Sequence, residues 1–210
     1  MPALDLAPEQ IVTVARALIA ESGLDGFSMR KLAARLDVNP MTIYLRFENK
    51  DALLDAVAAA SLAEFEAPSV HGTWADQVLA LADGLRTHLI RDRDTLRLLG
   101  DGDRLTVGLL GATDRGLELM AELGGSPSET VERFRLLFWH VVGSALVAGS
   151  FTTLPGNRGR LDTAFADVGT DYPHVVTHAA HFGPVDRDDL FVHTTTLLIA
   201  GLQAGQETTP

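Results

Sequence analysis

Apolar residues recur at every third or fourth position along almost the whole of this 210-residue chain. That spacing belongs to helices that bury one face. β-Branched residues do not alternate with polar ones over any long stretch, so a sandwich or barrel is not expected. Leu, Ala, Arg and Asp dominate the composition, which suits helices. A hydrophobic fraction of 46% is too high for a disordered chain. The expected fold class is all-α.

Cap and turn residues divide the pattern into elements. Ile11, Val14, Ala15 and Leu18 form a first stripe that ends near Gly23. Ser28 is a candidate N-cap for a short helix that turns Leu32, Ala33 and Leu36 inward. After a tight turn at Asp37-Val38, Asn39 caps a third helix with Pro40 at its first position, where a missing N–H costs nothing. Asn49 caps a fourth helix through Leu53, Leu54 and Val57. Pro68 and Gly72 mark a break, and a domain boundary is expected within 66–73.

Beyond the break, Thr73 starts a helix carrying Val78, Leu81 and Leu85, and the sequence GDGD at 100–103 interrupts. A helix over about 105–123 should stop at Gly124-Gly125. Ser126 to Glu129 is a capping box opening a helix that is apolar nearly all round over 136–148. Residues 150–172 read as a long loop and 173–182 as a short helix. A last helix starts at Asp186, with Asp188 and Asp189 favouring its dipole. The expected parts are an N-terminal one over 1–66, with a helix-turn-helix layout at about 28–47, a C-terminal one over 67–205, and a flexible tail over 206–210.

Charge narrows the partners. Seventeen basic and 28 acidic residues give a formal net charge of -11, which taken whole disfavours nucleic acid and anionic membranes. The segment 28–50 differs: Arg30, Lys31, Arg35, Arg46 and Lys50 face only Asp37 and Glu48, a local +3 that leaves -14 for the rest. Both lysines of the chain lie there. A basic patch on an acidic body can grip phosphates while the body discourages non-specific binding. The most apolar run, 136–149, is too short to span a bilayer and contains His140 and Ser144, so no membrane partner is expected. No cysteine is present, which excludes disulfides, thiol nucleophiles and thiolate metal sites.

Two short helices joined by a tight turn form the layout in which the second helix enters the DNA major groove. The helix from Pro40 would do the reading. Pro40, Met41 and Thr42 lie where base edges approach, with Thr42 able to hydrogen-bond and apolar atoms able to meet a thymine methyl. Tyr44 and Arg46 lie where backbone oxygens should pass. Lys50 occupies the first turn of the fourth helix, where a cation is unfavourable unless it shares that helix end with a phosphate. The alternative is a solvated lysine that points away.

The run FSMRKLAARLDVNPMTIYLRFENKDALLDAV, with Tyr44-x-x-Phe47-x-x-Lys50 followed by Leu53-Leu54, and with Arg30-x-Leu32-Ala33 before it, resembles the helix-turn-helix of the TetR (tetracycline repressor) family over about residues 8–65. The spacing of the C-terminal half is like that of the tetracycline repressor subgroup. The resemblance implies a cytoplasmic homodimeric regulator, usually a repressor, whose helical C-terminal domain binds a small-molecule effector. It implies that Thr42, Tyr44 and Lys50 touch operator DNA and that Arg30 reaches a base. With the two caps, Ser28 and Asn39, and with Pro40, Met41 and Arg46, these make up the candidate DNA-contacting set. The family's turn glycine is Asp37 here, a residue able to adopt the left-handed conformation, and its frequent serine cap is Asn39. The histidine that the subgroup uses for a metal–drug chelate has no counterpart, the region reading Leu98-Leu99-Gly100, so tetracycline is not the expected effector.

Other candidates are weaker. His88, Met120, Phe134, Phe138, Trp139 and His140 form either an effector pocket or ordinary core. Leu137 and Val141, with Leu190, Thr194, Leu197, Leu198 and Gly201 of the last helix, are candidates for a two-fold dimer interface, since the apolar faces exceed what one core uses. His174, His178 and His181 share a helical face but lack nearby carboxylates, so a surface or dimer contact is favoured over a metal. No nucleophile elbow or phosphate loop is present, and neither enzymatic activity nor a cofactor is expected. A constitutive DNA-binding regulator without effector, and an all-α small-molecule-binding or enzymatic protein, remain as alternatives.

Overall fold

The computed structural model describes residues 6–98, 110–150, 171–178, 181 and 186–205. Among them the chain is all-α, with no strand. The N-terminal part comprises α1 (Pro8–Gly26), α2 (Met29–Arg35), α3 (Pro40–Tyr44) and α4 (Lys50–Leu62). Each start follows the expected chemistry. Ser28 Oγ accepts the Lys31 N–H at 3.3 Å, Asn39 Oδ1 the Met41 N–H at 2.9 Å and Asn49 Oδ1 the Ala52 N–H at 2.8 Å. Gly23, at φ 69°, breaks the regular course of α1, and Asp37 makes the α2–α3 turn at φ 54°. Ile11, Ala15, Leu32, Ile43, Leu53 and Ala58 close a core among the four helices.

The C-terminal part is built around α5 (Trp74–Arg91). Thr73 and Asp76 form its capping box, with the Asp76 carboxylate accepting the Thr73 N–H at 2.9 Å. A short α6 (Arg93–Leu98) follows, then α7 (Leu110–Ala121), α8 (Pro127–Ser150), α9 (Pro173–His178) and α10 (Arg187–Ala204). Helices α7, α8 and α10 pack on α5, while α6 touches α1 and α4 and so ties the two parts together. Gly124 and Gly125 take positive φ after α7, and Ser126 and Glu129 form the capping box of α8. Asp186 caps α10 by accepting the N–H groups of Asp188 and Asp189 at 2.9 and 3.2 Å.

The short α6 is not legible in the sequence pattern. Asp92 ends α5 by donating its N–H to the His88 carbonyl, and its own carbonyl accepts from Leu96 to begin α6. The GDGD segment, the start of the helix expected from 105, residues 151–170 of the expected long loop and the tail lie outside the described residues, and Ser150, expected in that loop, ends α8.

Candidate nucleic-acid interface

Helix α3 is positioned by what it buries. Ile43 is fully buried and Phe47 nearly so, which seats the helix against α2 and turns Met41, Tyr44 and Leu45 outward. Met41 is 65% and Leu45 76% exposed. Thr42 departs from expectation. It is only 8% exposed, because it lies beside Ile43 on the inward side, so its side chain has little surface to offer a base edge. Leu45 was not among the sequence candidates. Its position four residues after Met41 on one helical face was the available signal.

The cations are arranged unequally. Arg30 and Arg46 are exposed beside α3. Arg35 is neutralised by a two-pronged ion pair with Glu21, both contacts at 2.6 Å, and this hydrogen bonding holds the Glu21 carboxyl below its ordinary range. Lys31 Nζ donates to the Gly26 carbonyl at 2.7 Å. Lys50 Nζ lies 3.4 Å from the Phe27 carbonyl and 5.6 Å from the Phe27 ring centroid. Its ammonium therefore neither points away into solvent nor sits directly on the α4 terminus; it bridges that terminus to the α1–α2 connection. Ser28 and Asn39 spend side-chain oxygens on caps. Ser28, Arg30, Asn39, Pro40, Met41, Tyr44, Arg46 and Lys50 thus lie along the α2–α3–α4 surface.

The expected effector-pocket residues do not form one pocket. Met120 is fully buried core. Phe134 and Phe138 stack at 5.6 Å and line an apolar crevice between α5, α7 and α8 of about 20 Å³, room for little more than a water. His88 Nε2 instead donates to the Ser61 carbonyl (3.1 Å) in a charged cleft of about 800 Å³ between α1, α4 and α5. There Arg16 grips Glu64, with one contact at 2.9 Å, and Ser61 Oγ donates to Asp92. Trp139, 66% exposed, and His140 line a third space of about 360 Å³ between α8 and α10. His140 contacts Thr195 Oγ1 at 3.0 Å and stacks on Phe191 at 5.2 Å. Burial and then the Arg86 guanidinium hold its imidazole below the ordinary range. Arg86 itself, absent from the sequence candidates, is buried over the Phe191 ring and paired with Asp188 at 2.7 Å.

The dimer candidates also divide. Leu137 and Val141 are buried within the chain, against α5, and have no surface for a second copy. Leu198 and Thr194 are half-buried, whereas Leu190, Leu197 and Gly201 face outward. They adjoin an exposed row on α8 made of Leu136, Trp139, Gly143, Leu146 and Val147. Among the described residues no three His, Asp or Glu side chains gather at a metal-binding distance, and His174, His178 and His181 are exposed. No helix of the described residues is long and apolar enough to cross a membrane.

Two family models match the chain. One, described as bacterial regulatory proteins of the tetR family, spans residues 11–57, and the other, described as the tetracyclin repressor-like C-terminal domain, spans 68–205. The chain is 32% identical over 157 residues to the class A tetracycline repressor from transposon 1721 of Escherichia coli, covering 73% of this chain and 72% of that protein. Its fold is similar to that of Streptomyces coelicolor ActR in complex with actinorhodin, with a TM-score of 0.82 at 30% identity over 96% of this chain and 98% of that one. A TetR variant from Acinetobacter baumannii AYE in complex with minocycline matches with a TM-score of 0.68 at 29% identity, over 96% and 99% of the two chains.

Proposed function

Because the chain belongs to the TetR family and is a DNA-binding transcriptional regulator, we propose that it acts as a cytoplasmic homodimeric repressor that reads its operator with α3 and leaves it when an effector enters the C-terminal part. The observation that carries this reading is the outward surface of α3, bearing Met41, Tyr44 and Leu45 between Arg30, Arg46 and Lys50, on a molecule that is otherwise strongly acidic. Two copies joined through the outward rows of α8 and α10 would present two such helices. A spacing near one helical turn of DNA, roughly 34 Å, fits successive major grooves. Helix α4 runs from Lys50 at the DNA-facing end to Ser61 at the charged cleft, with Glu64 just past its C-terminus, and is the lever between the two parts.

The effector reading rests on the crevice between α5, α7 and α8. ActR and the A. baumannii TetR variant were each solved with a small molecule bound. Here the crevice lining is apolar apart from Thr113, and the Phe134 ring packs so tightly on Gly116 that a Cβ there would lie 2.7 Å from it. A flat, mostly apolar compound that displaces Phe134 fits this lining. Such an effector must loosen DNA by the same factor by which DNA loosens the effector. A second reading, a constitutive regulator whose core is simply filled, is favoured by the small volume of the same crevice. Genomic fragments retained by the purified protein, followed by a screen for flat aromatic compounds that release them, test both. Retention with release supports the effector-responsive repressor; retention that no compound relieves, even in Phe134→Ala, favours the constitutive reading; no sequence preference among retained fragments would sink the repressor reading.

A further inference from the structure

Resting on the assignment of α3 as the reading helix, the composition of its outer surface limits how bases are told apart. A base edge is ordinarily distinguished by paired donors and acceptors, with Arg, Asn and Gln as the usual readers. At the start of α3 the Asn39 side-chain Oδ1 is committed to the Met41 N–H at 2.9 Å, and Thr42 is buried. The most exposed side chains are instead apolar, Leu45 at the C-terminal end of the helix and Met41 one turn before it, with the Leu45 N–H donating to the Met41 carbonyl at 3.1 Å. Neither packs against the chain's own core. The only apolar group that a base pair displays in the major groove is the thymine 5-methyl.

We propose that Met41 and Leu45 select thymines in each operator half-site through the 5-methyl groups. Four residues of helix separate the two side chains, a rise of about 6 Å. Base pairs stack about 3.4 Å apart. The two thymines therefore lie one or two base pairs from each other, and Arg46 and Lys50 fix the helix in register through phosphates, without specifying sequence.

Deoxyuridine isolates this term, since it keeps every hydrogen-bonding group of thymidine and lacks only the methyl. The operator recovered from genomic fragments is synthesised with each thymine replaced in turn by uracil, and affinity is read by fluorescence anisotropy at fixed salt. Two positions per half-site should each weaken binding about three- to fivefold, the size expected from one buried methyl-sized group. Leu45→Ala should abolish the thymine–uracil difference at one of them and Met41→Ala at the other. Both side chains are outward, so unchanged circular dichroism is expected for both variants. If fragments are retained with a clear consensus yet no uracil substitution changes affinity by more than twofold, this inference is overturned while the DNA-reading assignment stands. A thymine–uracil difference that persists in both variants also overturns it. Failure to retain any preferred sequence removes the assignment and this inference together.

Discussion

Asp37 is the one non-glycine residue with positive φ among the described residues, and it stands at the turn on which the reading helix depends. The left-handed conformation strains a β-branched side chain by roughly 1–2 kcal/mol or more. Asp37→Val is therefore expected to lower stability by about that amount, with Asp37→Gly at or slightly above wild type, as measured by urea denaturation. At this scale the sequence was highly legible. Ser28, Asn39, Asn49, Thr73, Ser126 and Asp186 all cap the helices they precede, because capping is decided within three or four residues. Thr42 and Leu45 were not legible, because the facing of a five-residue helix is set by where Ile43 and Phe47 find a core.

Helix α8 shows where periodicity stops informing. Its 24 residues are apolar on several sides, so the sequence marks it as doubly buried without saying which side meets α5. The structure turns Leu137, Val141 and Ala145 inward and leaves Leu136, Trp139, Gly143 and Val147 outside. Between the two lies His140, facing Arg86 of α5 and Phe191, Thr194 and Thr195 of α10, with Asp188 of α10 paired to that arginine. The folded chain resists protonating this imidazole, whereas the unfolded chain takes the proton near the ordinary value of 6.5. Its contribution is therefore present above that value and lost as the pH falls below it. Replacement by a neutral isostere, His140→Gln, should flatten the decline in melting temperature between about pH 7 and pH 5. An equal decline in both proteins would assign it to other groups.

For the molecule as a whole, the acidic body and the basic 28–50 segment are one design, and the outward rows on α8 and α10 are its second half. Leu197, 60% exposed, lies on that outward face, so a carboxylate there costs the isolated fold little while facing its own copy across a two-fold seam. Leu197→Glu should sediment as a folded monomer at micromolar concentration and lose on the order of a hundredfold or more in operator affinity, since two linked half-sites become one. A dimer with unaltered affinity would move the seam elsewhere. The central claim, that the α2–α3–α4 surface grips operator phosphates, is tested most directly by the salt dependence of operator binding for wild type and Lys50→Ala. The account predicts a steep fall in log affinity with log salt, and a slope reduced by about one per protomer in the variant for every duplex tried. A wild-type affinity that barely changes with salt, or a Lys50→Ala slope equal to that of wild type, would contradict it.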